Sequence, residues 1–584
     1  MRKLYNIIHS VVDHKISLKE LYFSLSTWFT ALFLFLGFAT KFNTTLLIAN
    51  LILAFYTYLI LILVTNRLLL SGFLTLLFAV LFDYIKLIKW QFLMQEFSAA
   101  DFFMLKLLVN HGLLRLMYEY ATKEIYLIFI LLLFNFILLW NRYDTLLDKI
   151  RLGAKNYYVL RIISIGVALL LLSKLFEISF DRKSYFYMAI DSIKKENSGF
   201  QRKLYGPFAD VVFTIPDIYI EPLAGTIDYS LIAQEVEKSK DRALISVEEM
   251  PDIVVILNES VFNPSKLDYD FADNFNFGFF DQGKYTKYHG TLNVNTFGGS
   301  SWISEYEINT GIPHASFSGP SYMPFITLIP KTQNSVMSYL KSIGYDVEVV
   351  YPVDKNFSLA EESYTTLGAD KITDVYEIGY NPDSWSKIPD KVIGDMIINA
   401  LNKHPEKPKY IFAATMLNHG PHSSFAKDTI GCSLSMNDQL CSKLNDYIDR
   451  INKTNKDQLE LIDKLMKRKK KTIVVNFGDH LPSFEGFSTQ LRFTKDIRNY
   501  YKTFYNINAN FNAPGKEQYP TLDITFIPGL ILDLAKLNTN EFYIANSLMR
   551  KICNGSFDEC KAKLPKEQRL IESYKSLITK QLGF

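Results

Sequence analysis

Asp252-Ile-Val-Val-Ile-Leu-Asn-Glu-Ser260 is a short, unbroken, β-branched run that stops on a carboxylate. Thr472-Ile-Val-Val-Asn-Phe-Gly-Asp-His480 repeats the pattern far along the chain and stops on Asp479 and His480. Continuous apolar runs of this kind read as strands buried on both faces, as in a parallel sheet. Ligands of open α/β sheets gather just outside the carboxyl ends of the strands. Glu259, Asp479 and His480 are therefore expected on one rim. A third stretch, Thr296-Phe-Gly-Gly-Ser-Ser-Trp-Ile-Ser-Glu-Tyr-Glu307, adds the hydroxyls of Ser300 and Ser301 behind a flexible Gly-Gly turn. The combination predicts a divalent-metal site with a nucleophile built into it.

The surrounding pattern alternates strands and helices, which points to βαβ units. Further strands are expected at 346–351 and 409–416, and helices at 301–310, 333–343, 390–403 and 436–470. Asp523–Ala535 reads as a packed helix entered through Pro520 and Thr521. The expected fold is an α/β domain with a mostly parallel central sheet over 251–550. A connector at the membrane face precedes it (181–250), and a tail with a cysteine pair follows it (551–584). The basic run Lys467-Arg-Lys-Lys-Lys471 ends a predicted helix, where cations complement the dipole, and is not read as an anion site.

Residues 1–180 read as a transmembrane domain. Residues 21–40 and 42–65 contain no charged side chain, and each run is long enough to cross roughly 30 Å of hydrocarbon. Further spans are expected at 68–85, 125–140 and 158–177, the last with Arg161 and Lys174 placed to snorkel. Five spans put the two ends of the domain on opposite sides. Basic residues at the N-terminus (Arg2, Lys3, Lys15) and in the 142–155 loop then place everything after about 180 outside. The four cysteines agree with that side, since Cys432, Cys441, Cys553 and Cys560 form two close pairs beyond the membrane part. Local disulfides fit an oxidising compartment, whereas the spacing within each pair is too long for zinc knuckles. A net charge of +3 argues against a nucleic-acid partner.

Two carboxylates and an imidazole suit manganese or zinc, with Ser301 completing the sphere. Metal coordination is one of the recognised ways to activate a serine hydroxyl. Each residue alone has a structural reading: Gly-Asp-His as a turn, Glu259 as a surface ion pair, Ser300 or Ser301 as a helix cap. Their joint placement at matching strand ends favours chemistry. Asn418-His-Gly-Pro-His422 follows the 409–416 strand, so His419 or His422 is placed to meet a phosphate oxygen or protonate a leaving alkoxide.

These motifs resemble the alkaline phosphatase and sulfatase superfamily over residues 251–535. The nearest branch is that of lipoteichoic acid synthase and the periplasmic glucan phosphoglycerol transferases. The resemblance implies a nucleophile at Ser301, metal ligands Glu259, Ser301, Asp479 and His480, and His419 near the substrate phosphate. That branch usually has Thr where this chain has Ser301, which leaves Ser300 as a rival. Its Phe-Trp-Asn-Arg headgroup element is replaced here by Tyr351-Pro-Val-Asp-Lys-Asn-Phe-Ser358, so Asp354, Lys355 and Asn356 are the expected substitutes. No Arg follows Ser301 as formylglycine formation requires, which sets sulfatase chemistry aside, and no second Asp/His set supports two zinc ions.

The expected protein is a phosphotransferase anchored in a bacterial cytoplasmic membrane. It carries one divalent metal, manganese first, with zinc or magnesium as alternatives. It would move a phospholipid headgroup from phosphatidylglycerol, through a covalent Ser301 ester, to an envelope glycan or glycolipid. The rival enzyme is a phosphoethanolamine transferase using phosphatidylethanolamine and acting on lipid A or a glycan. A catalytically inactive envelope protein is the rival outside enzymology, and a transporter is disfavoured because the spans hold almost no buried charge.

Overall fold

The computed structural model describes residues 18–93, 97–104, 154–181, 205–223, 228–238, 246–273, 275–422, 430–431, 436–484, 486–494, 500–512, 518–562 and 564–584. The chain divides into two compact units, one built mainly from residues up to Ile218 and the other mainly from Tyr219–Phe584.

In the first unit, apolar composition produces long helices at Leu18–Ala39, Thr44–Thr65, Leu68–Leu93 and Ala154–Phe180. Among the described residues, three helices are long and apolar enough to cross a membrane, over Thr44–Thr65, Leu68–Leu87 and Asn156–Phe180. The apolar part of the first helix, Ser24–Ala39, is shorter. The span expected at 125–140 lies outside the described residues. Arg161 donates to the carbonyls of Leu63 (3.1 Å) and Val64 (2.6 Å), which satisfies the last carbonyls of helix Thr44–Thr65. Part of the expected connector belongs to this unit. Helix Pro207–Phe213 packs Phe208, Ala209 and Phe213 with Leu36, Leu46 and Leu53. Asn50 caps that helix, accepting from the amides of Phe208 and Ala209 and donating to the Tyr205 carbonyl. Lys86 and Asp210 form a buried ion pair beside it.

The second unit is organised by one eight-stranded sheet. Its strands are β1 (Asp252–Asn258), β2 (Thr286–Asn293), β3 (Asp346–Tyr351), β4 (Lys371–Asp374), β5 (Lys409–Ala414), β6 (Thr472–Gly478), β7 (Lys502–Ala509) and β8 (Thr521–Asp523). Their order is β4-β3-β5-β1-β6-β7-β2-β8. Only β7 runs against the rest, pairing antiparallel with both β6 and β2, so β2 and β8 point the same way as β1. The expected mostly parallel α/β sheet is present. Four of its strands, β2, β4, β7 and β8, were not expected. The segment read as a helix from Asp523 begins as β8 and a short 3-10 turn, and becomes helical at Ile527–Leu534.

The basic run at 467–471 lies at the amino end of the sheet, where Arg468 and Lys470 pair with buried Asp252 at 2.8 and 2.9 Å. Residues 551–584 pack into the unit. Cys553 and Cys560 are bridged, and helix Pro565–Lys580 buries Tyr574, whose hydroxyl accepts from Asn546 at 3.0 Å. Cys441 is disulfide-bonded, and Cys432 lies outside the described residues.

β1 ends in a tight turn, and the Val261 carbonyl then passes directly over Gly478 at the end of β6. A Cβ at Gly478 would lie 1.8 Å from that oxygen and 3.1 Å from Thr503 Cβ. Both neighbours are fixed, one being backbone and the other a strand residue. Gly478→Ala is therefore expected to lower stability by about 1–3 kcal/mol, the usual cost of overpacking a filled interior. A denaturant melt of the purified protein checks this; an unchanged midpoint would mean that the strand ends separate easily.

Candidate functional site

β1 and β6 stay paired up to Asn258 opposite Gly478. The next residues, Glu259 and Asp479, therefore leave the sheet side by side. β5 reaches Ala414 opposite Leu257, and Thr415 then accepts from the Glu259 amide through its hydroxyl at 3.3 Å. β2, running in the same direction, leads through Thr296–Gly299 to the same rim. Gly298, Gly299 and Ser300 all have positive φ (71°, 155° and 62°), a reversal that starts helix Ser301–Thr310 with Ser301 in its first turn. Ser304 Oγ donates to the Asp479 carbonyl at 2.7 Å, which ties this helix to the end of β6.

The result is a tight cluster. Ser301 Oγ donates to Glu259 Oε2 at 3.1 Å and lies 3.3 Å from His480 Nε2. His480 Nε2 is 3.3 Å from Asp479 Oδ2 and 3.6 Å from Glu259 Oε1. Neighbouring groups order each of these side chains. Asp479 Oδ1 accepts from the amides of Ser260 and His480 at 2.8 and 2.9 Å, and Ser260 Oγ donates to Glu259 Oε1 at 2.8 Å. His480 Nδ1 donates to the Leu481 carbonyl at 2.9 Å, so its Nε2 lone pair faces the cluster.

The residues fit a metal on grounds of their own. One ligand atom from each of Glu259, Asp479 and His480 lies within 4.8 Å of the others, and all three side chains are buried. Asp479 Oδ2 has no hydrogen-bond partner although it is fully buried. Burial and the neighbouring Glu259 charge push the Asp479 carboxyl up to about 7, against the pull of His480. Burial alone would lower the His480 pKa, but Asp479 and Glu259 raise it overall. Two crowded carboxylates with an orphaned oxygen are what a divalent cation neutralises.

The remaining expected residues fall in three places. His419 is half-buried on the loop after β5; its Nδ1 donates to the Gly420 carbonyl at 2.7 Å and its ring lies 5.6 Å from that of Trp385. His422 is buried between Tyr447 and Phe484, with ring centroids 5.3 and 5.2 Å away. Burial, with Arg450 nearby, holds its pKa well below the ordinary range, so the ring is neutral. Asp354 and Asn356 close a turn on themselves, Asp354 Oδ1 accepting twice from Asn356 at 2.9 Å. Lys355 pairs with Glu377 (2.6 Å) and Glu361 (3.2 Å). Among the described residues, no hydrogen bond or ion pair joins these three to Ser301 or to its neighbours. Ser300 Oγ is buried without a partner and touches none of the three candidate ligands through a described hydrogen bond.

One residue of the site was missed. Glu305, one helical turn after Ser301, is buried and accepts from the Tyr364 hydroxyl. Burial raises its pKa to about 8, opposed by the Tyr364 bond and helped by the Asp479 and Glu259 charges. The spacing of four from Ser301 was its only signal in the sequence.

Residues 251–523 match the protein family described as Sulfatase. An uncharacterized protein of Haemophilus influenzae is 26% identical over 324 residues, which are 53% of this chain and 58% of that one. A putative cyclic beta-1,2-glucan modification protein of Rhizobium meliloti is 24% identical over 258 residues, 42% of this chain and 38% of its own. The chain thus spans about half the length of the curated relatives it matches. Among solved structures, the Streptococcus pyogenes phosphoglycerol transferase GacH in complex with sn-glycerol-1-phosphate is similar, at a TM-score of 0.50 and 20% identity. That similarity covers 62% of this chain and 94% of that one, and it is a likeness of fold.

Proposed function

We propose, from the match of residues 251–523 to the Sulfatase family, that this chain is a membrane-anchored phosphotransferase. It moves a phospholipid headgroup, phosphoglycerol from phosphatidylglycerol, to a glycan or glycolipid of the cell envelope. One observation carries the reading: a serine hydroxyl at a helix N-terminus lies 3.1 and 3.3 Å from two buried candidate ligands of one cation site. The apolar helices of the first unit supply the second support, because a donor dissolved in a bilayer is concentrated beside an enzyme anchored there. The anchor is read as multi-pass, with the second unit on the extracytoplasmic side.

Glu259, Asp479 and His480 would hold a divalent cation, manganese or zinc by ligand type, and Ser301 would complete the set. Such a cation lowers the pKa of the serine hydroxyl and offsets phosphate charge when bound. Ser301 Oγ attacks phosphorus, its proton passing to water; the Oγ–P bond forms and the P–O bond to diacylglycerol breaks. His419 gives the leaving alkoxide a proton. In the second half an acceptor hydroxyl attacks the same phosphorus and His419 takes its proton; the new P–O bond forms, the Oγ–P bond breaks, and Ser301 Oγ takes its proton back from water. In the proposal His422 and the Asp354–Asn356 turn serve substrate binding, and Trp385 beside His419 takes the place of a headgroup platform.

The test uses the full chain in detergent with phosphatidylglycerol and phosphatidylethanolamine, each labelled in the glycerol backbone. Labelled diacylglycerol from phosphatidylglycerol alone is the expected result. Release from phosphatidylethanolamine alone would reassign the headgroup, and release from neither would remove the phosphotransferase reading.

A further inference from the structure

Arg450 projects from helix Asp438–Met466 and is nearly buried. Its Nε donates to Asp446 Oδ1 at 3.2 Å, and its Nη2 to Asp446 Oδ2 at 2.5 Å and to the Pro421 carbonyl at 3.2 Å. Its Nη1 donates to the carbonyls of His419 (3.0 Å) and Leu417 (3.4 Å). A guanidinium has five N–H donors in a fixed planar fork, and these five bonds use all of them. Arg450 therefore has nothing left for a phosphate. Its whole capacity goes to one carboxylate and to three carbonyls on alternate residues of a single loop. One helical turn further on, Thr454 Oγ1 accepts from Asn418 Nδ2 at 2.8 Å. The helix thus holds the segment that carries His419 at four residues, Leu417, Asn418, His419 and Pro421.

We propose that Arg450 is a positioning residue that sets the His419 imidazole for proton transfer at the leaving oxygen. The inference rests on the role given to His419 above. A strand-end loop offers its carbonyls no ladder partner, and buried carbonyls must be paired. The planar fork fixes the angles between three of them, and so the direction in which the His419 side chain leaves the backbone. A lysine ammonium is a point charge on a flexible stem and does not reproduce that geometry.

The test compares the full chain in detergent with Arg450→Lys, which keeps a cation against Asp446, with His419→Ala, and with the double variant. Arg450→Lys is expected to lower kcat by about 10- to 100-fold, the scale of a small misplacement of a reacting group, with KM nearly unchanged. Metal content should stay at the wild-type level, and amide exchange should quicken in the peptide covering 415–422. In the His419→Ala background Arg450→Lys should cost nothing further, since residues that act as a unit are non-additive. A wild-type kcat in Arg450→Lys, or an equal loss with and without His419, would overturn the proposal. If the wild type itself releases no headgroup, the reaction reading is the one that fails. Unchanged exchange in Arg450→Lys would then still remove Arg450's hold on the loop.

Discussion

Ser301→Ala is expected to abolish headgroup release, by about three orders of magnitude or more, the scale seen when a covalent nucleophile is deleted. The protein should still fold, because Ser301 Oγ supports no core contact and its two partners, Glu259 and His480, are held by Ser260 and the Leu481 carbonyl. Ser300→Ala is the control. Ser300 sits at φ 62°, in the left-handed region, and its buried hydroxyl has no hydrogen-bond partner, so its loss should leave turnover close to wild type. Release of labelled diacylglycerol decides between them. Activity that survives in Ser301→Ala and disappears in Ser300→Ala would move the nucleophile by one residue.

Asp479→Ala should lower the affinity for the divalent cation by at least about 100-fold, since outer-shell changes alone cost 10–100-fold. Elemental analysis after dialysis would read one cation per wild-type chain and none in the variant. Two cations per chain, or unchanged occupancy in Asp479→Ala, would contradict a single site built on these ligands. The same residue sets a pH dependence. Its folded carboxyl titrates at about 7 against an ordinary 3.8, so without metal the folded state binds the extra proton between those values. Stability of the metal-free protein must then fall as pH rises from about 4 to about 7. A cation competes with that proton, so apparent metal affinity should climb over the upper part of the same window. Melting curves with and without chelator should diverge as pH increases.

The strands that the sequence revealed are those buried on both faces. β1 and β6 are buried at every position, and nothing but a central strand has that pattern. β2 escaped because Thr286–Asn293 alternates lysine, histidine and glycine with few apolar residues. β7 escaped because its buried Asn506 and Asn508 bond to each other and to the Phe279 carbonyl, and so read as loop residues. The candidate metal ligands Glu259, Asp479 and His480 were legible because each follows a recognisable strand. Arg450 was not, because a charged residue on a long amphipathic helix is ordinarily solvated. Only the spacing of Asp446, Arg450 and Thr454, each four apart on one face, hinted that this polar stripe looks inward.

β1 and β6 remain hydrogen-bonded to their last residues, so the two candidate carboxylates hang from neighbouring strands about 4.8 Å apart. That distance belongs to the backbone ladder and not to any loop. In the proposed reaction, the reacting centre and the surfaces that choose donor and acceptor are therefore separate parts of the molecule. On that reading, loops such as 351–358 and 376–389 can be rewritten to admit a different headgroup or a different sugar while the cation cradle keeps its dimensions, whereas 417–422 carries His419 and has to stay with its Arg450 clamp. For engineering, loop exchange is the route to new substrates, and the ends of β1 and β6 are the positions to leave alone.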